Sequence, residues 1–176
     1  KYAGQRWKPI KVSGQVNSRY LYRTAISNNV VPYSVIEPEL VVLPIESSKD
    51  GKVKMKHWEE MASEGDLETA EWFKEVDKRW KENRTDKASS KSYPEYINYR
   101  KKLTRQRINE EYLVLYTSSS KDANAAVFDR SSVDLRFVVE HKTYWYATKN
   151  EDEAHFLVGF LNAAEPNRLI KSFQSK

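Results

Sequence analysis

The stretch "VVPYSVIEPELVVLPI", residues 30–45, restricts the fold more than any other part of the chain. It sets Pro32, Pro38 and Pro44 among β-branched residues. A proline inside a helix removes a backbone hydrogen bond and collides with the preceding turn, so no helix runs through this stretch. Short runs of Val, Ile and Leu between prolines suit strands instead. "ELVVLPI" reads as a strand ended by Pro44. "ESSKDGKVK" then reads as a turn centred on Asp50 and Gly51. Upstream, Tyr20 and Tyr22 mark a short strand within residues 12–27.

The pattern changes at Lys56. "KHWEEMASEG" and "DLETAEWFKEVDKRWKEN" have helical character, and Leu67, Ala70, Phe73, Val76 and Trp80 share one face. Asp66 is the expected N-cap. Residues 84–92, "RTDKASSKS", read as a polar loop. A further helix is expected to start near Pro94, a residue the first turn tolerates, with Tyr93, Ile97, Arg100 and Leu103 on its buried side. "EYLVLYTSS" and "NAAVFD" read as strands, and residues 135–149 as two strands broken between Glu140 and Lys142. "NEDEAHFLVGFLNAAEPN" reads as a helix with an acidic first turn, where the helix dipole favours negative charge. Its expected apolar face is Phe156, Leu157, Phe160 and Leu161, its expected stop Pro166, and a short helix is expected after it. Trp58, Phe73, Trp80, Phe156 and Phe160 are expected in the core. In "TYWY", Tyr144 and Trp145 alternate, so one belongs to the core and the other to an interface. The result is an α+β domain with a mixed or antiparallel sheet and packed helices. It reads as a single domain over residues 1–176. The rival arrangement has an N-terminal lobe at 1–83, the loop 84–92, and a C-terminal part at 93–176.

Charge is unevenly placed along the chain. Residues 1–23 carry +6, residues 37–71 carry −6 and residues 74–107 carry +7. A positive surface attracts phosphate at long range. Five bases lie close together at Arg100, Lys101, Lys102, Arg105 and Arg107. Lys101, Lys102, Arg105 and Arg107 are the candidate phosphate or base contacts, with Gln106 as a candidate adenine reader through its amide. Arg19 and Arg23 are second choices. The rival reading of each is a solvated helix end.

Catalytic patterns are missing. With only five glycines, none of them in a nucleotide fingerprint, no cofactor loop can be drawn. His57, His141 and His155 lie far apart, and "HWEEM" lacks the second histidine of a zinc helix. No serine sits in a strand-to-helix elbow. The adjacent pairs Glu59–Glu60 and Glu110–Glu111 point in different directions on a helix. With zero cysteines, disulfides and thiolate zinc sites are excluded. The sequon at Asn83 matters only in a secreted chain. The chain starts at Lys1 with no signal peptide, reads as a piece of something longer, and has no window apolar enough to span a membrane. Abundant Arg, Lys, Tyr and Trp without a catalytic cluster fit a binding domain: guanidinium forks suit phosphate and guanine, and aromatic rings stack on bases.

Four stretches, "VVPYSVIEPELVVLPI", "YPEYINYRKKLTRQ", "NAAVFD" and "HKTYWYATKNEDEAHFLVGFLNAAEPNRLIKSFQSK", occur in an order that carries a likeness. Together they resemble the C-terminal target-recognition region of N6-adenine DNA methyltransferases, of the large restriction–modification type that includes fused methylase–nuclease proteins. The resemblance covers about half of the chain, and its last stretch is the strongest. It implies sequence-specific recognition of double-stranded DNA by this chain. It also implies an upstream catalytic domain of the same polypeptide that binds S-adenosylmethionine, with no cofactor in this part, and a cytoplasmic location. "NVVPY", residues 29–33, has a single proline and is not that family's catalytic motif. The rival function is a protein-interaction or scaffold domain docking to a catalytic lobe or a partner subunit.

Overall fold

A computed structural model describes residues 4–117 and 124–171. The fold is α+β, with mixed and antiparallel sheets and helices packed around them. β1 (Leu21–Ala25) is the middle strand of the first sheet. It pairs antiparallel with β4 (Glu39–Val42) and parallel with β9 (Phe137–Val139). Between them in sequence lie a hairpin, β2 (Val30–Val31) with β3 (Ser34–Val35), and a second hairpin, β5 (Ile45–Ser47) with β6 (Val53–Met55). The three prolines fall outside the strands, as their missing N–H requires.

The second sheet is antiparallel: β10 (Thr143–Thr148), β7 (Tyr112–Thr117) and β8 (Ala125–Asp129). The break between Glu140 and Lys142 separates β9 from β10, as the sequence implies. The two sheets face each other through Ala25, Phe137 and Val139 on one side and Leu113, Leu115, Ala126 and Phe128 on the other. Phe128 stacks on Phe137 at 3.9 Å between centroids. The opposite face of the first sheet packs Tyr22 and Val138 on Ile45, Val53 and Leu103.

α1 (Trp58–Ser63) and α2 (Leu67–Asn83) are separated by Gly65, whose φ of +84° no other residue adopts as cheaply. Ala70, Phe73 and Trp80 of α2 are buried, whereas Leu67 is exposed in its first turn. Trp58 is half-buried against the cluster of Tyr20, Met61 and Phe73. Asp66 stands at the N-cap position, but its carboxylate goes to Arg19 at 2.7 Å rather than to the helix N–H groups.

Three helical expectations are corrected. The helix at Pro94, α3 (Tyr93–Ile97), stops after five residues. Asn98 ends it: its side chain accepts from Thr104 N at 3.1 Å and donates to Thr104 Oγ1 at 3.0 Å. Such local side-chain bonding competes with helix propagation. Arg100 is therefore exposed, not buried, while Leu103 is buried. The C-terminal helix, α4 (Glu151–Asn162), buries Ala154 and Val158 on Val114 and Ala125 of the second sheet. Two small residues one turn apart let the helix lie close to the strands. Leu157 and Leu161 flank that contact, and Phe156 and Phe160 point outward at 74% and 57% exposure. Pro166 does not stop α4. It lies in the first turn of α5 (Ala164–Lys171), where its missing N–H costs nothing. The end of the expected last helix, residues 172–176, lies outside the described residues.

The turn at Asp50–Gly51 closes the β5–β6 hairpin and does more. Gly51 has φ +79°, and a Cβ there would sit 2.8 Å from the Asn109 side chain. Asn109 donates to Lys49 O at 2.8 Å, and Ile108 N donates to Gly51 O at 3.1 Å. Gly51→Ala is expected to lower the unfolding free energy by roughly 1–3 kcal/mol in urea titrations, through backbone strain and the clash together. An unchanged midpoint would show that this turn does not depend on close approach.

Candidate functional site

The basic segment is a compact loop, held at both ends. Ser92 caps α3 reciprocally with Glu95, and Asn98 closes the far side through Thr104. Between them Arg100 and Lys101 take left-handed backbone conformations, with φ +53° and +59°. Side chains rarely accept two such positions in a row. The price is tolerated because the surrounding bonds over-determine the loop. Lys102 Nζ donates to His141 O at 2.6 Å. Arg107 lies in a β-bridge with Lys52, and its carbonyl accepts from Arg130 Nη1 at 2.7 Å.

That geometry sorts the candidate cations. Lys101, Arg105 and Arg107 are exposed, and their side chains have no partner among the described residues. Lys102 is half-buried, with its ammonium 5.4 Å from the centroid of the Tyr144 ring. Tyr144 in turn stacks on Tyr116 at 5.3 Å and 15°. Lys102, Arg105, Tyr144 and Trp145 line one shallow groove beside edge strand β10. Trp145 is partly buried against the inter-sheet core and Tyr144 is exposed, so the alternation on "TYWY" resolves in that sense. A cation over an exposed ring, beside unpaired guanidinium groups, can attract a phosphate and stack on a base.

The structure places three other candidates elsewhere. Gln106 is 2% exposed. Its Nε2 donates to Val139 O at 2.8 Å and its Oε1 accepts from Val139 N at 2.8 Å. Its amide therefore caps the open edge of β9 and presents nothing to an adenine. Arg23 grips Asp134 through Nε at 2.9 Å and Nη2 at 3.2 Å. The hydrogen bond from Arg23 holds the Asp134 carboxyl below its usual range. Arg19 bonds Asp66 at 2.7 Å and reaches Glu64 at 3.8 Å. Both arginines are consumed by the acids that a base-rich stretch must find when it folds.

Sequence reading also missed contributors. Lys91, in the expected loop, and Arg100 each lie 5.2 Å from the Tyr99 ring centroid. Tyr116 lies under Tyr144. Only the alternation of "TYWY" hinted at an exposed aromatic; the Tyr116 contact comes from a distant segment, and the Lys91 contact depends on α3 ending after Ile97. Among the described residues, no group of three or more His, Asp or Glu side chains could hold a metal ion. No helix there is long and apolar enough to cross a membrane.

Gln106→Ala is expected to cost roughly 1–3 kcal/mol in urea unfolding, because it strands the Val139 N–H and C=O in the interior. Unchanged stability combined with lost DNA affinity would return Gln106 to the set of base readers. No family model and no curated protein matches this chain, so function is argued from its geometry.

Proposed function

We propose that this chain is a non-catalytic, sequence-specific recognition domain for duplex DNA, belonging to an adenine-specific DNA methyltransferase of the restriction–modification type. The observation that carries the reading is the groove lined by Lys102, Arg105, Tyr144 and Trp145, with Lys101 and Arg107 adjacent in sequence; the side chains of Lys101, Arg105 and Arg107 have no partner among the described residues. Arg19 and Arg23, the other two candidate arginines, and Lys56 are matched by acids in direct contact. In this short segment Lys101, Arg105 and Arg107 meet no acid among the described residues, an arrangement that a polyanion completes. In this reading Lys101, Lys102, Arg105 and Arg107 bind phosphates, and Tyr144 is the ring within reach of a base. Methyl transfer from S-adenosylmethionine belongs to a catalytic domain of the same polypeptide, acting on an adenine out of the stack.

Fluorescence anisotropy with a labelled duplex at several salt concentrations tests the assignment. Lys101→Ala, Lys102→Ala and Arg105→Ala are each expected to weaken binding and to reduce the salt slope by about one or less. Arg19→Ala and Arg23→Ala are expected to leave the slope unchanged. If Lys101→Ala and Lys102→Ala alter neither affinity nor slope, the assignment fails.

The scaffold reading keeps one specific observation in its favour. Phe156 and Phe160 form an exposed stripe one turn apart on α4. Glu153, in the preceding turn, is bonded by the hydroxyl of exposed Tyr146 at 3.2 Å. A catalytic lobe or partner subunit covering that stripe would explain two outward phenylalanines. Replacing both with serine is expected to change the unfolding free energy by no more than about 0.5 kcal/mol, as at other surface sites. Unfolding of the double variant would show the rings to be packed within the chain.

A further inference from the structure

A cavity of about 420 Å³ lies between the first sheet and the loop that carries the basic residues. This is the size of a small-molecule site, roughly 300–1,000 Å³. Its floor is Val41, Leu43 and Val138, with Thr24 among them. Its opposite wall is Tyr96, Ile97, Tyr99 and Leu103. Glu140, His141 and Lys91 stand around it as polar groups.

Four features bear on what this space can hold. Thr24 is 6% exposed, lines the cavity, and its hydroxyl has no hydrogen-bond partner among the described residues. A purely aliphatic occupant would leave that hydroxyl unsatisfied, at a cost in free energy. Tyr96 and Tyr99, at 50% and 40% exposure, offer aromatic surface, and Tyr96 is braced by the Trp80 ring 5.4 Å away. Lys91 and Arg100 each lie 5.2 Å from the Tyr99 ring centroid, and Lys91 also lines the cavity. The His141 imidazole pairs through Nδ1 with Glu140, and Nε2 has no partner among the described residues. The cavity is joined to the basic loop, since the His141 carbonyl accepts from Lys102 Nζ at 2.6 Å.

We propose that this cavity binds a nucleobase in an unstacked nucleotide, with the base between the Thr24 floor and the Tyr96–Tyr99 wall and its phosphate on Lys91 and Arg100. Thr24 Oγ1 bonds the base edge, and His141 Nε2 serves the part nearest the solvent. Apolar and aromatic surface with few hydrogen bonds is how an extruded base is held. The nucleotide comes either from a strand lying on Lys101 and Arg105, which rests on the DNA-binding reading above, or from a free mononucleotide.

Methyl NMR spectra of the chain distinguish these sources. The probes are the four 2′-deoxynucleoside monophosphates, a short single strand and a duplex with one unpaired base. Shifts of the Thr24, Val41, Leu43, Val138 and Leu103 methyl groups are expected with at least one nucleotide or strand. Thr24→Val, which keeps shape and β-propensity, is expected to weaken that binding by about fivefold, the worth of one neutral hydrogen bond. Ile97→Trp, which fills the cavity, is expected to abolish it. Tyr99→Ala, at an exposed position, gives a second variant should Ile97→Trp unfold, and it is expected to weaken binding too. Salt-dependent binding of strand and duplex with no shift of these methyl groups by any probe would overturn the cavity proposal and leave the basic loop in place. Shifts with mononucleotides and no binding of strand or duplex would uphold the cavity and sink the DNA-binding reading. Shifts that persist undiminished in all three variants would overturn the proposal.

Discussion

Parallel pairing of β1 with β9 sets Arg23 opposite Phe137 and Ala25 opposite Val139. A parallel pair cannot be closed by a hairpin, so everything between the two strands forms one long crossover. Closing so long a loop costs entropy, and burial has to offset it. Tyr22 and Ala25 are 0% exposed, Phe137 1% and Val138 2%, which is where that offset is found. β9 is only three residues long and, among the described residues, has β1 as its single strand neighbour. Its other edge is closed by the Gln106 amide. One side chain thus finishes the sheet and, in doing so, fixes the loop from Arg100 to Arg107 against it.

The same frame decides which charges remain available. The acidic stretch 37–71 is folded back onto bases from its own and other segments: Arg19 on Glu64 and Asp66, Lys56 on Glu46 and Glu64. Lys56 is 1% exposed; burial pulls its ammonium down, but the bond to Glu64 and the neighbouring charges outweigh burial and hold it above the usual lysine range. A charge so deeply placed requires that pairing. Lys101, Arg105 and Arg107, carried outward by a strained loop, meet no such partner within the described residues. Net charge per segment could not have shown this, because it counts charges before they pair.

Much of the fold was legible because its signals are local. Prolines excluded a helix at residues 30–45, Asp50–Gly51 marked a turn, and "LRFVVEHKTYWYATK" contained two strands and their break. Each depends on backbone sterics or a two-residue period within a few residues. The failures were of another kind. Asn98 ended α3 through a bond to Thr104 six residues on, against a helical pattern that continued past it. Phe156 and Phe160 recur at helical spacing, which predicts them inward, yet the sheet takes Ala154 and Val158, because close approach to Val114 and Ala125 favours small side chains. Gln106 looked like a base reader because an amide in a basic run could be one; nothing local announces that Val139 will claim it.

What the sequence determined by itself was the kind of molecule: α+β, rich in bases and aromatic rings, with strands where prolines and β-branched residues alternate and helices where apolar residues recur every three or four positions. Those are properties of short stretches, governed by φ/ψ sterics and side-chain period. Which arginines stay available, which aromatic rings face outward, and where a cavity opens beside Thr24 were decided only when both sheets formed and the helices and loops packed on them. Each is settled by contacts between residues far apart in the chain, whose free energy exists only once the intervening loops are closed.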